Sequence, residues 1–307
     1  MTRSRNLGQF VALAVLWGGS FPAIEVGLEA IPPVLFAAIR FDIAGALLVG
    51  YAVVSANEWR PRAAEDLLAV AAGGVLFVAL GNGLGFVGQQ YTTGGVASIV
   101  FSLIPLLTAA FAWVLLADER LSSLGFAGIV LGLVGVGILT GPGLRTLRSG
   151  AVLGEAIMFV AAVTTALGTV LVRRWSTSLS SATLTAWSMV LGALVLHAGS
   201  LAIGEGPPEA SLSPAVVLAM AYLGVASSAL AYVLYFSMLR RFSALEMNLV
   251  TYLTPVVATL TGWLLLDEPV TASMVAGFVV IATGFAVLKR RALVAELRRV
   301  ETPVDAD

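Results

Sequence analysis

No charged side chain occurs between Asp66 and Asp118, a run of 51 residues. As one helix this run would measure about 76 Å at about 1.5 Å per residue, whereas a bilayer core is only about 30 Å thick. It must therefore cross a membrane twice. The break falls at QQYTTGG (89–95), where two glutamines and two glycines suit an exposed turn better than hydrocarbon. The rest of the chain conforms: of 307 residues 59% are apolar and 11% charged, where soluble domains carry roughly a quarter charged. That shortage of charge excludes soluble enzymes, nucleic-acid readers and disordered scaffolds. The chain has no cysteine, hence no disulfide, thiolate metal site or thiol nucleophile, and the single His197 cannot build a multi-histidine site. Neither metal nor cofactor is expected; the expected partners are the bilayer and a small-molecule substrate.

Apolar runs of about 20 residues predict ten membrane-spanning helices, near 7–28, 33–54, 66–90, 94–116, 122–140, 152–172, 180–203, 213–239, 243–266 and 272–288. The connecting loops are short, so no soluble domain is inserted. Placing the N-terminus in the cytoplasm puts Arg3, Arg5, Arg60, Arg62, Arg120, Arg173, Arg174, Arg240, Arg241, Lys289, Arg290, Arg291, Arg298 and Arg299 inside. Only Arg145 and Arg148 fall outside, and Arg40 lies within a span, which accounts for all 17 bases. A miscount by one helix would scatter the later charges to the wrong side. The expectation is a plasma (inner) membrane protein with both termini cytoplasmic and a basic tail over 289–307. The first apolar stretch follows Arg3 and Arg5 as a signal peptide would, but it is over 20 residues long and belongs to a repeat.

Sliding the chain against itself aligns residues 93–119 with 243–268. Pro105 meets Pro255 and Trp113 meets Trp263 at an offset of 150, and Asp118-Glu119 meets Asp267-Glu268 at 149. Gly128 and Gly135 meet Gly277 and Gly284 at 149, and Gly45-Ala46-Leu47 meets Gly192-Ala193-Leu194 at 147. The unit is five helices, 7–140 and 152–288. An odd number means that the second copy enters the membrane from the opposite side, an inverted 5+5 layout typical of alternating-access carriers.

Several motifs together resemble the drug/metabolite transporter superfamily, specifically its EamA-like branch, over residues 7–288. They are WGGSFPAIEVGL (17–28), the stretch Leu35–Arg40 with its embedded arginine, and the duplicated proline helix ending LLADERLS (115–122) and LLLDEPVT (264–271). The resemblance implies a carrier, often an exporter of amino acids or other small metabolites. It also implies that helices 1, 3, 4, 6, 8 and 9 line a cavity, with 5 and 10 peripheral. The chain departs from the pattern at Thr165, the second repeat's counterpart of Trp17, and at Glu25, where many relatives carry a lysine.

Polar groups inside hydrocarbon name the candidate site. Arg40 sits about 10 Å into helix 2, and a buried arginine persists only with a partner or a wet cavity. It is either a carboxylate clamp or a structural latch. Asn82 and Phe86 align with Tyr232 and Phe236 at an offset of 150, and Tyr235, Trp17 and Tyr252 complete an amphipathic substrate-binding set. Packing and interhelical hydrogen bonding are the plainer roles for these residues. Pro105 and Pro255 are candidate helix breaks near the binding region, since each removes a backbone hydrogen bond. Asp42 and Glu25 are candidate proton carriers, Glu25 and Glu155 lying closer to the helix ends. Gly125, Gly128, Gly132 and Gly135 predict a close packing seam, within one repeat or at a dimer face, so a monomer and a homodimer both stay open. His197 shows no companion in the sequence. The function expected is secondary transport of a small metabolite, an aromatic or amphipathic amino acid in particular. A channel, a scaffold or a membrane-embedded enzyme is the alternative, although no HExxH or nucleophile elbow occurs.

Overall fold

The computed structural model describes residues 2–55, 59–140, 151–175, 177–208, 211–239, 241–242 and 244–301. Arg145, Arg148 and Arg240, three of the bases sorted above, lie outside these, as does the end of the basic tail. No strand occurs among the described residues. The helices in chain order are α1 (Leu7–Leu28), α2 (Pro33–Ser55), α3 (Ala64–Gln89), α4 (Gly94–Leu115) and α5 (Ser123–Thr140). They continue with α6 (Ala151–Arg174), α7 (Ser181–Ala202), α8 (Pro214–Leu239), α9 (Ala244–Leu266) and α10 (Ala272–Glu301). Ten spans are expected from the sequence; eight of these helices are long and apolar enough to cross a membrane, while α5 and α9 have shorter apolar stretches, Ser123–Leu139 and Val250–Leu266. The protein is a multi-pass membrane protein.

Helix starts follow local chemistry. Thr93, Ser180 and Ser213 accept from the N–H groups of Val96, Thr183 and Val216. Each thereby satisfies one of the donors a helix start leaves open, and Pro214 follows its cap where its missing N–H costs nothing.

Two departures from regular α-helix matter. The stretches Ala72–Asn82 of α3 and Tyr222–Leu230 of α8 are π-helical, and they begin at repeat-related positions, 150 residues apart. Such widening gathers at functional sites and was not legible in the sequence. The two prolines behave differently. α4 breaks between Phe101 and Ile104, with Pro105 just inside the second segment, whereas α9 runs through Pro255 as one helix.

The glycine seam of α5 faces α10. A Cβ added at Gly128 would lie 2.4 Å from the Gly284 carbonyl oxygen, and one at Gly135 2.8 Å from that of Gly277. Backbone therefore touches backbone. The register also shows that the two helices are antiparallel and that each glycine meets the counterpart of the other. The seam joins the two repeats rather than packing within one. α2 packs along α7 in the same antiparallel sense, with Gly45 against Met189 and Val190 and Gly199 nearest Val34.

Candidate substrate site

Arg40 of α2 is a buried cation held by side chains of another helix. Only 7% of the residue is exposed, its Nε donates to Ser228 Oγ at 2.9 Å, and its Nη2 donates to Ser227 Oγ at 3.3 Å. The guanidinium carbon lies 5.1 Å from the Phe41 ring centroid and 5.8 Å from that of Phe86, within cation–π range. No carboxylate pairs with it among the described residues. Its partners come from the π-helical stretch of α8, and the Tyr222 and Tyr232 phenols lie within electrostatic reach.

Phe86 is 1% exposed and meets Phe36 edge-on at 5.3 Å, so it forms a buried floor beneath the guanidinium. Asn82 does not reach across the bundle. Its amide donates to the Phe77 carbonyl at 3.0 Å, satisfying a backbone group inside the π-helical stretch of its own helix.

Trp17 of α1 joins the aromatic residues of α8, with ring centroids 5.4 Å from Tyr235 and 5.9 Å from Tyr232. Tyr232 in turn lies 6.3 Å from Tyr235 and 5.9 Å from Phe236. The glycines after Trp17 permit this approach: a Cβ on Gly18 would stand 2.6 Å from Val257 of α9, and one on Gly19 2.6 Å from the Tyr222 hydroxyl. That hydroxyl donates to the carbonyls of Val15 and Leu16 at 3.1 and 3.0 Å, tying α1 to the widened part of α8.

The structure thus brings together Arg40, Phe86, Tyr232, Tyr235 and Trp17, and sets three other sequence candidates apart. Tyr252 meets the tilted ring of Phe285 of α10 at 4.6 Å in a separate apolar cluster, its hydroxyl buried without a hydrogen-bond partner. Asp42 points away from Arg40 and is paired with His197 Nε2 at 2.7 Å, both side chains well exposed on the protein's surface. His197 therefore has the companion that sequence spacing alone could not assign. Glu25 lies by Glu268 and the start of α4. The sequence gives no site role to Ser227, Ser228 or Tyr222, and marks Glu268 only as a repeat anchor. Two adjacent serines in the apolar run VASSAL were the available signal, since a buried cation needs hydroxyl or carbonyl partners. No group of metal-ligating side chains occurs among the described residues.

The model of the EamA-like transporter family matches this chain twice, over residues 7–141 and 152–290. The chain belongs to the EamA-like transporter family. Relatives of this EamA-like chain include the uncharacterized transporter YvbV of Bacillus subtilis (strain 168), 26% identical over 95% of the chain and 93% of the relative. The uncharacterized inner membrane transporter YedA of Escherichia coli (strain K12) is 29% identical over 83% and 81%. The WAT1-related protein At3g02690, chloroplastic, of Arabidopsis thaliana is 30% identical over 85% of the chain and 64% of the relative. One solved structure, described only as that of a protein, shares the fold with a TM-score of 0.66 at 21% identity, covering 98% of this chain and 100% of the other.

Proposed function

We propose that this EamA-like protein is a secondary carrier that exports a small metabolite by alternating access, and that its substrate is an aromatic or otherwise amphipathic amino acid. The observation that carries the reading is the buried Arg40 guanidinium, held by two serine hydroxyls with no carboxylate partner among the described residues, beside the cluster of Trp17, Tyr232 and Tyr235. A guanidinium has five N–H donors, and the serines use two, so it retains the capacity to bind a substrate carboxylate in a two-pronged fashion. The rings would receive the apolar side chain.

Ten helices in two inverted five-helix repeats, with both termini cytoplasmic in the plasma membrane, form the frame of this proposal. The antiparallel seams α5–α10 and α2–α7, each pairing repeat-related helices, support it. In that frame the ends of α1, α3 and α9 and the starts of α2, α4 and α10 lie outside. Rocking of one repeat against the other would expose the Arg40 region to each side in turn. The protein works without a cofactor and without covalent chemistry on its substrate.

Purified protein in liposomes should show uptake and counterflow of phenylalanine, tyrosine or tryptophan against a panel of amino acids and organic cations. Absence of both for every compound overturns the proposal, and single-channel current in a planar bilayer would replace it with a channel.

A further inference from the structure

The repeated Asp-Glu pair ends two helices, but its two copies do different things. Glu119, after α4, forms an exposed ion pair with Arg173 of α6, Nη2 to Oε1 2.9 Å. Its counterpart Glu268, after α9, is 5% exposed and accepts the N–H groups of Gly94 at 2.8 Å and Gly95 at 3.2 Å, at the start of α4. Asp267, held in the left-handed region at φ 54, turns the chain so that the Glu268 N–H returns to the Gly262 carbonyl and the side chain folds inward.

The residue that meets Glu268 is Glu25 of α1: Phe21 and Pro22, one turn earlier, lie against Gly94, and the two carboxyls are close enough to act on each other. Glu25 Oε2 is buried and has no hydrogen-bond partner. The offset of 148 that relates Trp17 to Thr165 also relates Glu25 to Arg173. The same repeat-related contact is thus an Arg–Glu ion pair at one end of the molecule and a Glu–Glu pair at the other. An arginine and a carboxylate attract at every physiological pH. Two buried carboxylates side by side repel when both are ionised, and a proton shared between them relieves that repulsion.

Among the described residues, the surroundings supply no alternative counter-charge. Besides Glu268, the charged group acting on Glu25 is Glu29, from the same helix end and of the same sign. Asp267 adds another negative charge at the end of α9. The first segment of α4, Gly94–Phe101, carries no charge, nor do α8 over Pro214–Leu230 and α3 over Gly83–Gln89. α2 contributes only Arg40 and Asp42, which are committed to the serines and to His197.

We propose that Glu25 and Glu268 form a proton-requiring latch that closes the outer side of the protein, and that Arg173 and Glu119 form its pH-independent counterpart on the inner side. The inference rests on the alternating-access reading. A proton from the outer solution joins one carboxyl and makes an O–H···O bond to the other, holding α1 and α9 over the start of α4. Its loss leaves two buried like charges that separate by opening. Closure takes up one proton, so as the solution becomes alkaline the ratio of closed to open molecules falls by up to about tenfold per pH unit.

The chain has no cysteine, which makes accessibility a clean readout. Ala97, 0% exposed, lies one turn below Gly94, and an Ala97→Cys variant reports outer opening to a membrane-impermeant maleimide. A Tyr91→Cys variant at an exposed position corrects for thiol ionisation. Corrected labelling of Ala97→Cys should rise roughly fivefold or more from pH 6 to pH 9. Glu25→Gln should flatten that dependence, and Glu25→Arg, which copies the inner pair, should keep labelling slow throughout. Met247, the repeat counterpart of Ala97 and 5% exposed, reports the inner side in inside-out vesicles. Adding Arg173→Glu should give Met247→Cys labelling a pH dependence that it lacks alone. Flat labelling of Ala97→Cys, or a dependence that survives both Glu25 substitutions, overturns the latch. Flat labelling with working transport removes only this inference; pH-gated labelling without transport of any compound overturns the proposed function and leaves a pH-dependent opening of the outer side.

Discussion

Arg40 and Asp42 stand two residues apart on α2, at nearly the same depth, and lead into opposite environments. Arg40 is enclosed by the serines of α8 and two phenyl rings, while Asp42 lies on the surface bound to His197 of α7. Positions two apart on a helix point to nearly opposite sides, so the pair separates an inner role from an outer one without any change of depth. Depth in the bilayer sets what a charge costs; the face it occupies sets what it can do.

The largest effect that tests this contrast is expected at Arg40. Arg40→Lys keeps the charge but loses the planar fork, and should lower the initial transport rate in proteoliposomes at least about tenfold. An unchanged rate would remove the carboxylate clamp. Next comes the support beneath it: the Ser227→Ala/Ser228→Ala double variant strands a buried guanidinium and should cost about 3 kcal/mol in thermal or denaturant unfolding. Adding Arg40→Met should recover much of that loss, because the three residues act as one network. Tyr232→Ala and Tyr235→Ala should each raise the half-saturation concentration about fivefold through the lost ring contact. If transport of every substrate is unaffected by both, the aromatic wall lies elsewhere. The smallest effect belongs to Asp42→Asn, which keeps a hydrogen-bonding group for His197 and should shift stability by less than about 1 kcal/mol while leaving transport intact. Loss of transport there would invert the comparison and make the outer pair the functional one.

Much of the fold was legible in the sequence because hydrophobic length and charge sidedness act locally. The helix positions, the paired prolines and the neighbourhood of Trp17, Tyr232 and Tyr235 follow from span counting and the repeat offset. Rotation about each helix axis did not follow, since nearly every face of these helices is apolar. That is why Asn82 was expected to face a partner helix but serves its own backbone, and why the Asp42–His197 pair escaped notice. The π-helical stretches have no residue code: Gly73 and Gly74 in one and Ser227 and Ser228 in the other share no chemistry, yet both segments widen at the same place. The different fates of Pro105 and Pro255 also lie outside sequence, because a break depends on what the neighbouring helices can accommodate.

The backbone contact between α5 and α10 has a consequence for how the molecule is made. α5 leaves the ribosome well before α10, and until then the flat face around Gly128 and Gly135 has no matching surface to rest on. The first half of the chain enters the bilayer before that face has its partner, and α10, made later, completes it. Assembly therefore brings α10 back upon α5, and a protein cut short before Ala272 would retain its first repeat but lose the partner against which its fifth helix is shaped.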